Sequence, residues 1–212
     1  MFTKALLPDT IRALKLVSKI DTIKKSYLAG GTALALHLGH RISIDLDFFT
    51  KAVFDENVAI NNFNKIPEFK EEGKAWRTIW GRIGETKFSL FYYKFPLITP
   101  PIDFEGVQIV NKEDIAAMKV HAIEDRGTKR DFIDLFFLSK EFSLEQMLNF
   151  YDQKYGVLKE HLYIILRSLD YFQDAEIDPD PKMLTSVSWD EVKNFFIQEV
   201  KILSKELFKL KN

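Results

Sequence analysis

The stretch from Gly30 to Phe49, GGTALALHLGHRISIDLDFF, restricts the fold more than any other part of the chain. Two adjacent glycines, a short apolar segment that reads as a helix, and an alternating strand with two acids follow one another within it. Ile42, Ile44, Leu46 and Phe48 alternate with Ser43, Asp45, Asp47 and Phe49. A period of two sends these sets to opposite faces. Asp45 and Asp47 are therefore expected to project the same way, close enough to share one divalent cation. Gly30 and Gly31 lack a Cβ, so the backbone turns sharply there and a bulky anion approaches closely. The following helix directs its free N–H groups at that turn, a setting suited to phosphate. Thr32 offers a hydroxyl and an N–H to a triphosphate, or caps the short helix; the two roles are compatible.

Taken singly, each part has a plainer reading. A diglycine is often only a tight turn, and two acids are often only solvated. Asp is disfavoured in strand interiors, however, so a pair on one face calls for a reason, and metal binding supplies one. A phosphate seat beside paired carboxylates is the minimum apparatus for metal-assisted phosphoryl or nucleotidyl transfer. Nearby, His37 reads as a packing residue, His40 as surface, and Arg41 as a solvated charge with phosphate contact as the alternative.

Before this stretch, Pro8 to Thr10 opens a helix with Ile11, Leu14, Val17 and Ile20 as its stripe, and Tyr27 to Ala29 is a short strand. After it, residues 55–70 read as a helix with Val58, Ile60, Phe63 and Ile66 on its apolar side. Residues 70–74 read as a polar turn. Residues 76–80 and 86–93 pair as strands, Phe104 to Gly106 turns, and Val107 to Val110 is a strand. The rest is helical: 115–126 up to Gly127, 128–138, 144–155 up to Gly156, 157–172, and 188 to about Leu210. Leu207 belongs to the buried stripe of the last helix, and Lys209 and Lys211 to a solvated tail. Asp174 to Pro181 reads as an acidic linker. Lys154, Lys159, His161 and Arg167 read as a solvated face, with contact to a nucleic-acid acceptor as the alternative. These elements predict an α+β fold, with a small mixed sheet and helices in residues 1–112 and a helical domain in 113–212 that completes a cleft.

Six charged residues gather within 119–134: Lys119, Arg126, Lys129, Arg130, Asp131 and Asp134. One reading is an intramolecular salt-bridge net, with Arg130 and Asp134 as an i, i+4 pair. The other has Lys119 and Arg126 neutralising triphosphate charge, with Asp131 acting as a base or orienting a basic partner.

Net charge is −1, so no global field draws the chain to nucleic acid. The absence of Cys removes disulfides, thiolate catalysis and cysteine zinc sites, and fits a cytoplasmic location. The start of the sequence, broken by Pro8 and Asp9, is not expected to be a signal peptide, and no apolar run is long enough to span a membrane.

Gly31-Thr32, the intervening segment and Asp45-x-Asp47 resemble the Gly-Ser/Thr…Asp-x-Asp signature of polymerase-β-like nucleotidyltransferases. Together with "DIAAMKVHAIEDRGTKRDFIDLFFL" at 114–138, they resemble the AbiEii/AbiGii toxin family of that superfamily. The resemblance covers about residues 25 to 155. It implies a nucleotidyltransferase that moves NMP from an NTP to an acceptor, with Mg²⁺ or Mn²⁺ held by Asp45 and Asp47. Gly30, Gly31 and Thr32 would seat the phosphates. The family's Lys, basic turn and Lys/Arg-Asp-x-x-Asp motif match Lys119, Lys129, Arg130, Asp131 and Asp134. It further implies an RNA acceptor such as tRNA, a separately encoded antitoxin, and a role in a toxin–antitoxin or phage-defence system. Where many of these enzymes carry a third acid on the central strand, this chain has Ser89 and Phe91, which leaves two acids and the substrate phosphates for the metal. A nucleotide-binding regulator without turnover and a non-enzymatic partner-binding module are the alternatives.

Overall fold

The computed structural model describes residues 1–209, with side chains through residue 206. The expected burial of Leu207, solvation of Lys209 and Lys211, and helix end near Leu210 fall outside the described residues. The chain divides into two compact units, Met1–Asn111 and one that begins at Lys112. The α+β class expected from the sequence is the one observed.

In the first unit, α1 (Pro8–Val17) begins at a proline whose fixed φ suits the first helical position. A short α2 (Asp21–Lys24) leads into β1 (Tyr27–Leu28), and Ala29 alone separates β1 from α3 (Gly30–Leu38). Gly39, at φ +65°, ends α3 in the left-handed region that favours glycine. The remaining elements are β2 (Leu46–Thr50), α4 (Glu56–Phe63), β3 (Phe69–Ala75), β4 (Thr78–Ile83), β5 (Thr86–Tyr92), β6 (Ile102–Phe104) and β7 (Val107–Ile109). They form a seven-stranded sheet in the order β3-β4-β5-β2-β1-β7-β6. It is mixed: β2 runs parallel to β5 and β1 to β7, and the other neighbours are antiparallel. One face buries Leu46, Phe48, Ile79, Phe88 and Leu90. Phe63 of α4 closes on that face, its ring 4.8 Å from Phe88 and 5.4 Å from Phe69.

Three expectations for this unit are corrected. The strand proposed from Ile42 begins only at Leu46, and Ile44 is exposed while Arg41 and Ser43 are buried. Residues before β2 are tied to the N-terminal segment instead, through the Ser43 N–H donating to Ala5 O at 3.0 Å, and this resets the alternation. The supposed polar turn at 70–74 is β3, an edge strand whose exposed side chains carry no hydrophobic period. Val58 is exposed, and α4 buries Ala59, Ile60 and Phe63.

The second unit is helical: α5 (Lys112–Asp125), α6 (Lys129–Leu138), α7 (Leu144–Tyr155), α8 (Leu158–Leu169), the short α9 (Gln173–Glu176) and α10 (Trp189–Lys209). Gly127, at φ +53°, turns the chain between α5 and α6. Ser143 and Gln146 form a reciprocal capping box on α7. Phe132 anchors the core against Phe172 at 5.1 Å and Phe196 at 5.4 Å. Lys154, expected on a solvated face, is buried and donates to the buried Asp114 carboxylate at 2.6 Å. The pairing partner lies on another helix, so no local pattern reveals it. Among the described residues, no helix is long and apolar enough to cross a membrane.

The two α4 valine and phenylalanine positions give opposite expectations. Phe63→Ala should lower stability by about 3–5 kcal/mol, whereas Val58→Ala, at a residue 60% exposed, should stay within about 0.5 kcal/mol. Urea unfolding of the two variants checks the difference.

Candidate active site

The first unit brings one set of predicted residues together at the head of α3. Ala29 is extended and Gly30 enters the helix at φ +67°, a conformation that L side chains rarely adopt. The diglycine is therefore the first turn of α3 itself and not a loop before it. A Cβ built on Gly30 would lie 3.5 Å from Oδ2 of Asp47. The Asp47 carboxylate thus faces the helix start. The Ala29 N–H donates to Asp47 O at 3.0 Å and fixes that strand residue beside the turn.

Asp45 is held differently. It precedes β2, and its carbonyl accepts from the Thr32 hydroxyl. That hydroxyl also exchanges a 2.8 Å hydrogen bond with the Ser43 hydroxyl. Thr32 is 2% exposed. It does not cap α3, whose cap position is Ala29. With its hydroxyl committed inward, what Thr32 retains for an anion is its backbone N–H.

Two residues after α3 are placed otherwise than the sequence reading favoured. Arg41, read as solvated, is buried, and its Nη2 lies 2.3 Å from where a Gly31 Cβ would stand. Its Nη1 donates to Ile42 O at 3.2 Å. A guanidinium against the first helical turn is legible only once the chain returns to it. His40, read as surface, is also buried, while His37 reaches Val110 O at 2.7 Å through Nε2. Ser89 pairs in register with Asp47. The strand position beside the acid therefore carries a hydroxyl, as the sequence suggested.

The second unit assembles the charged cluster. Lys119 Nζ lies 2.8 Å from Asp131 Oδ1 and 2.6 Å from Asp134 Oδ2, and all three residues are buried. Arg126 Nε donates to Asp131 Oδ2 at 3.2 Å, and the Thr128 hydroxyl donates to the same oxygen at 2.6 Å. Burial alone would raise the Asp131 pKa, but the charges of Lys119 and Arg126 and these hydrogen bonds hold it down at about 2. A carboxylate held that low is poorly matched to general-base work near neutral pH and well matched to orienting cations. Arg126 remains 63% exposed along its side chain. Lys129 is buried, and its Nζ donates to Asp178 O at 2.8 Å and Asp180 Oδ1 at 3.0 Å. The acidic stretch read as a linker therefore supplies anchors for Lys129. Arg130 is exposed. His161, read as part of a solvated face, contacts Glu124, which also accepts from the Tyr151 hydroxyl at 2.8 Å.

Among the described residues, no group of three or more His, Asp or Glu side chains gathers to hold a metal ion.

Comparison with known proteins gives a consistent context. A family model described as "Nucleotidyl transferase AbiEii toxin, Type IV TA system" matches residues 13–89 and 92–202. An uncharacterized Aquifex aeolicus protein is 36% identical over 197 residues, covering 89% of this chain and 93% of that protein. Among solved structures, JHP933 of Helicobacter pylori matches with a TM-score of 0.57 at 19% identity, over 97% of this chain and 96% of that one. MenT4, a nucleotidyltransferase toxin of Mycobacterium tuberculosis, matches with a TM-score of 0.57 at 16% identity, over 91% and 82% of the two chains. At these identities the structural likenesses speak for the fold.

Two outcomes test this geometry. Gly31→Ala should destabilise by about 1–3 kcal/mol through overpacking against Arg41, and the penalty should shrink in an Arg41→Ala background; a urea double-mutant cycle measures the coupling. The Asp131 carboxylate, depressed on folding, contributes stability on the order of 2 kcal/mol above the unfolded pKa near 3.8. That contribution should fade as pH falls from about 4 toward 2, and in Asp131→Asn this part of the acid dependence of stability should be missing.

Proposed function

The chain belongs to the AbiEii nucleotidyltransferase toxin family, and on that premise we propose that it is a divalent-metal-dependent enzyme that transfers NMP from an NTP to an RNA acceptor such as tRNA. The observation that carries this reading is the Asp47 carboxylate facing Gly30 at the start of α3. The backbone N–H groups of Gly30, Gly31 and Thr32 would receive the β and γ phosphates, since a helix start favours anions. Asp45, steadied by Thr32, and Asp47 would hold Mg²⁺ or Mn²⁺. Such an ion, when bound, supplies charge neutralisation at the phosphates and favours the attacking oxygen. An acceptor hydroxyl, giving up its proton to solvent, attacks the α-phosphorus, the bond from that phosphorus to the oxygen bridging to the β-phosphate breaks, and pyrophosphate leaves with the negative charge. Ser89 beside Asp47 leaves the acid pair without a third carboxylate at that register position.

In the second unit, Lys119 is read as a positioning residue. It fixes Asp131 and Asp134, and Asp131 in turn aims Arg126, whose exposed guanidinium suits a phosphate ligand. Lys129, anchored by Asp178 and Asp180, and the exposed Arg130 extend the same basic turn. A toxin role with a separately encoded antitoxin, and a part in phage defence, follow from the family rather than from any residue here.

Incubation with labelled NTPs, Mg²⁺ and total RNA tests the reading. Label should enter RNA with the native chain and fall at least a hundredfold, as loss of essential charge stabilisation implies, with Asp45→Ala or Asp47→Ala. Transfer that survives both substitutions unchanged rejects the assignment.

A further inference from the structure

The face of the sheet that carries Asp47 continues across three more strands. Register places Asp47 opposite Ser89, Ser89 opposite Trp80, and Trp80 opposite Gly73, so one row crosses β2, β5, β4 and β3. Directly opposed residues share a face. The adjoining row is Lys87, Arg82 and Lys70. The row on the other side starts with Phe49 and Phe91, stacked at 5.2 Å, and continues to Thr78.

Trp80 is shaped for a ligand more than for a core. It is 38% exposed, and its indole lies over Gly73, where an added Cβ would meet Cζ2 at 2.2 Å. The missing side chain at 73 lets the ring rest on the sheet. Two strand spacings put its backbone about 10 Å from that of Asp47. Beside it, Lys70 and Lys87 are exposed. Arg82 is steadied by Nε donation to Glu72 at 2.8 Å and Nη1 donation to Glu85 O at 3.4 Å. An aromatic platform next to a line of cations is the chemistry that holds single-stranded nucleic acid: bases stack on the ring and phosphates meet the charges. A chain with net charge −1 has no global attraction for a polyanion, so a local row of this kind is what such binding needs.

We infer that the outer face of β3, β4 and β5 is the seat of the single-stranded RNA acceptor, with a base on Trp80 and the backbone along Lys87, Arg82 and Lys70, leading to Asp47. This deepens the proposed nucleotidyl transfer and rests on it for the identity of the strand as acceptor. The three cations span three strands, more than the nucleoside end of an NTP would occupy, so the strand and not the NTP base is assigned here.

The test is fluorescence anisotropy with a labelled eight-nucleotide single-stranded RNA in the absence of NTP, beside calorimetry of NTP binding, on folded full-length variants. Trp80→Ala should weaken RNA binding roughly tenfold or more, the usual loss for a stacked base. Gly73→Ala, which leaves the tryptophan but lifts it from the sheet, should weaken it in the same direction. Lys70→Ala with Lys87→Ala should flatten the slope of log affinity against log salt by about 0.7 for each cation removed. Lys15→Ala, on α1, should change neither. NTP affinity should be unaltered throughout. Unchanged RNA affinity and salt slope in these variants would overturn the inference and leave the face to a protein partner. Loss of NTP affinity with RNA affinity intact would overturn it in favour of the NTP base. RNA binding through this face without label transfer would sink the enzymatic reading alone, and label transfer to RNA with the face variants unaffected would sink this inference alone.

Discussion

The Arg41 guanidinium lies so close to Gly31 that an added methyl there would have to displace it. Because the first turn of the helix is bare, a buried cation can lie against it from one direction and the Asp47 carboxylate can face it from another. Thr32 then ties the helix inward to Ser43 and Asp45. Backbone amides, a fixed positive charge and a carboxylate are thereby assembled from a segment in which they are neighbours in sequence but gain their geometry only on return of the chain. The cost of ordering them is borne by the sheet core, where Phe48, Phe63 and Phe88 are fully buried.

The sheet divides two tasks between its faces. One face is apolar and sealed by α4. The other carries Asp47, Ser89 and Trp80 in register, half-buried or exposed. Period-two alternation makes this separation automatic, so an acid can sit one residue from a core phenylalanine without disturbing it. The helical unit solves another problem. Lys119, Asp131, Asp134, Lys154 and Asp114 are all charged and all buried. Such groups are tolerated inside a protein only when paired, and each makes an ion pair of 2.8 Å or less. Pairing also preorganises: Asp131, held ionised at about 2, keeps Arg126 oriented while its guanidinium end stays near solvent.

Much of the fold was legible because hydrophobic period and end signals are local. The helices around Lys119, Phe132 and Met147, the turns at Gly127 and Gly156, and the strands 86–92 and 107–109 follow from such signals, whereas the strand read at 76–80 is shifted to 78–83, with Trp76 and Arg77 in the turn before it. What failed was non-local. β3 carries Lys70, Glu71, Glu72 and Lys74, with no apolar alternation, because an edge strand gains its place from hydrogen bonds to β4 and not from burial. Ile44 is exposed because the segment before β2 is pinned by Ala5, and Lys154 is buried because Asp114 awaits it on another helix. Near the head of α3, spacing alone singled out Gly30, Gly31 and Asp47, which the structure places side by side. The inward commitment of the Thr32 hydroxyl and the burial of Arg41 carried no sequence signal.

By itself the sequence determined the local grammar: two glycines beside a short helix, a strand following close behind, a helical second half, and membership in a nucleotidyltransferase family. These depend on residues a few positions apart, where sterics and periodicity act directly. Only the tertiary structure decided which charges are buried, which carboxylate faces the helix start, and which tryptophan lies in line with it. Those outcomes depend on contacts between residues tens of positions apart, and desolvation and register exist only once the chain has closed on itself.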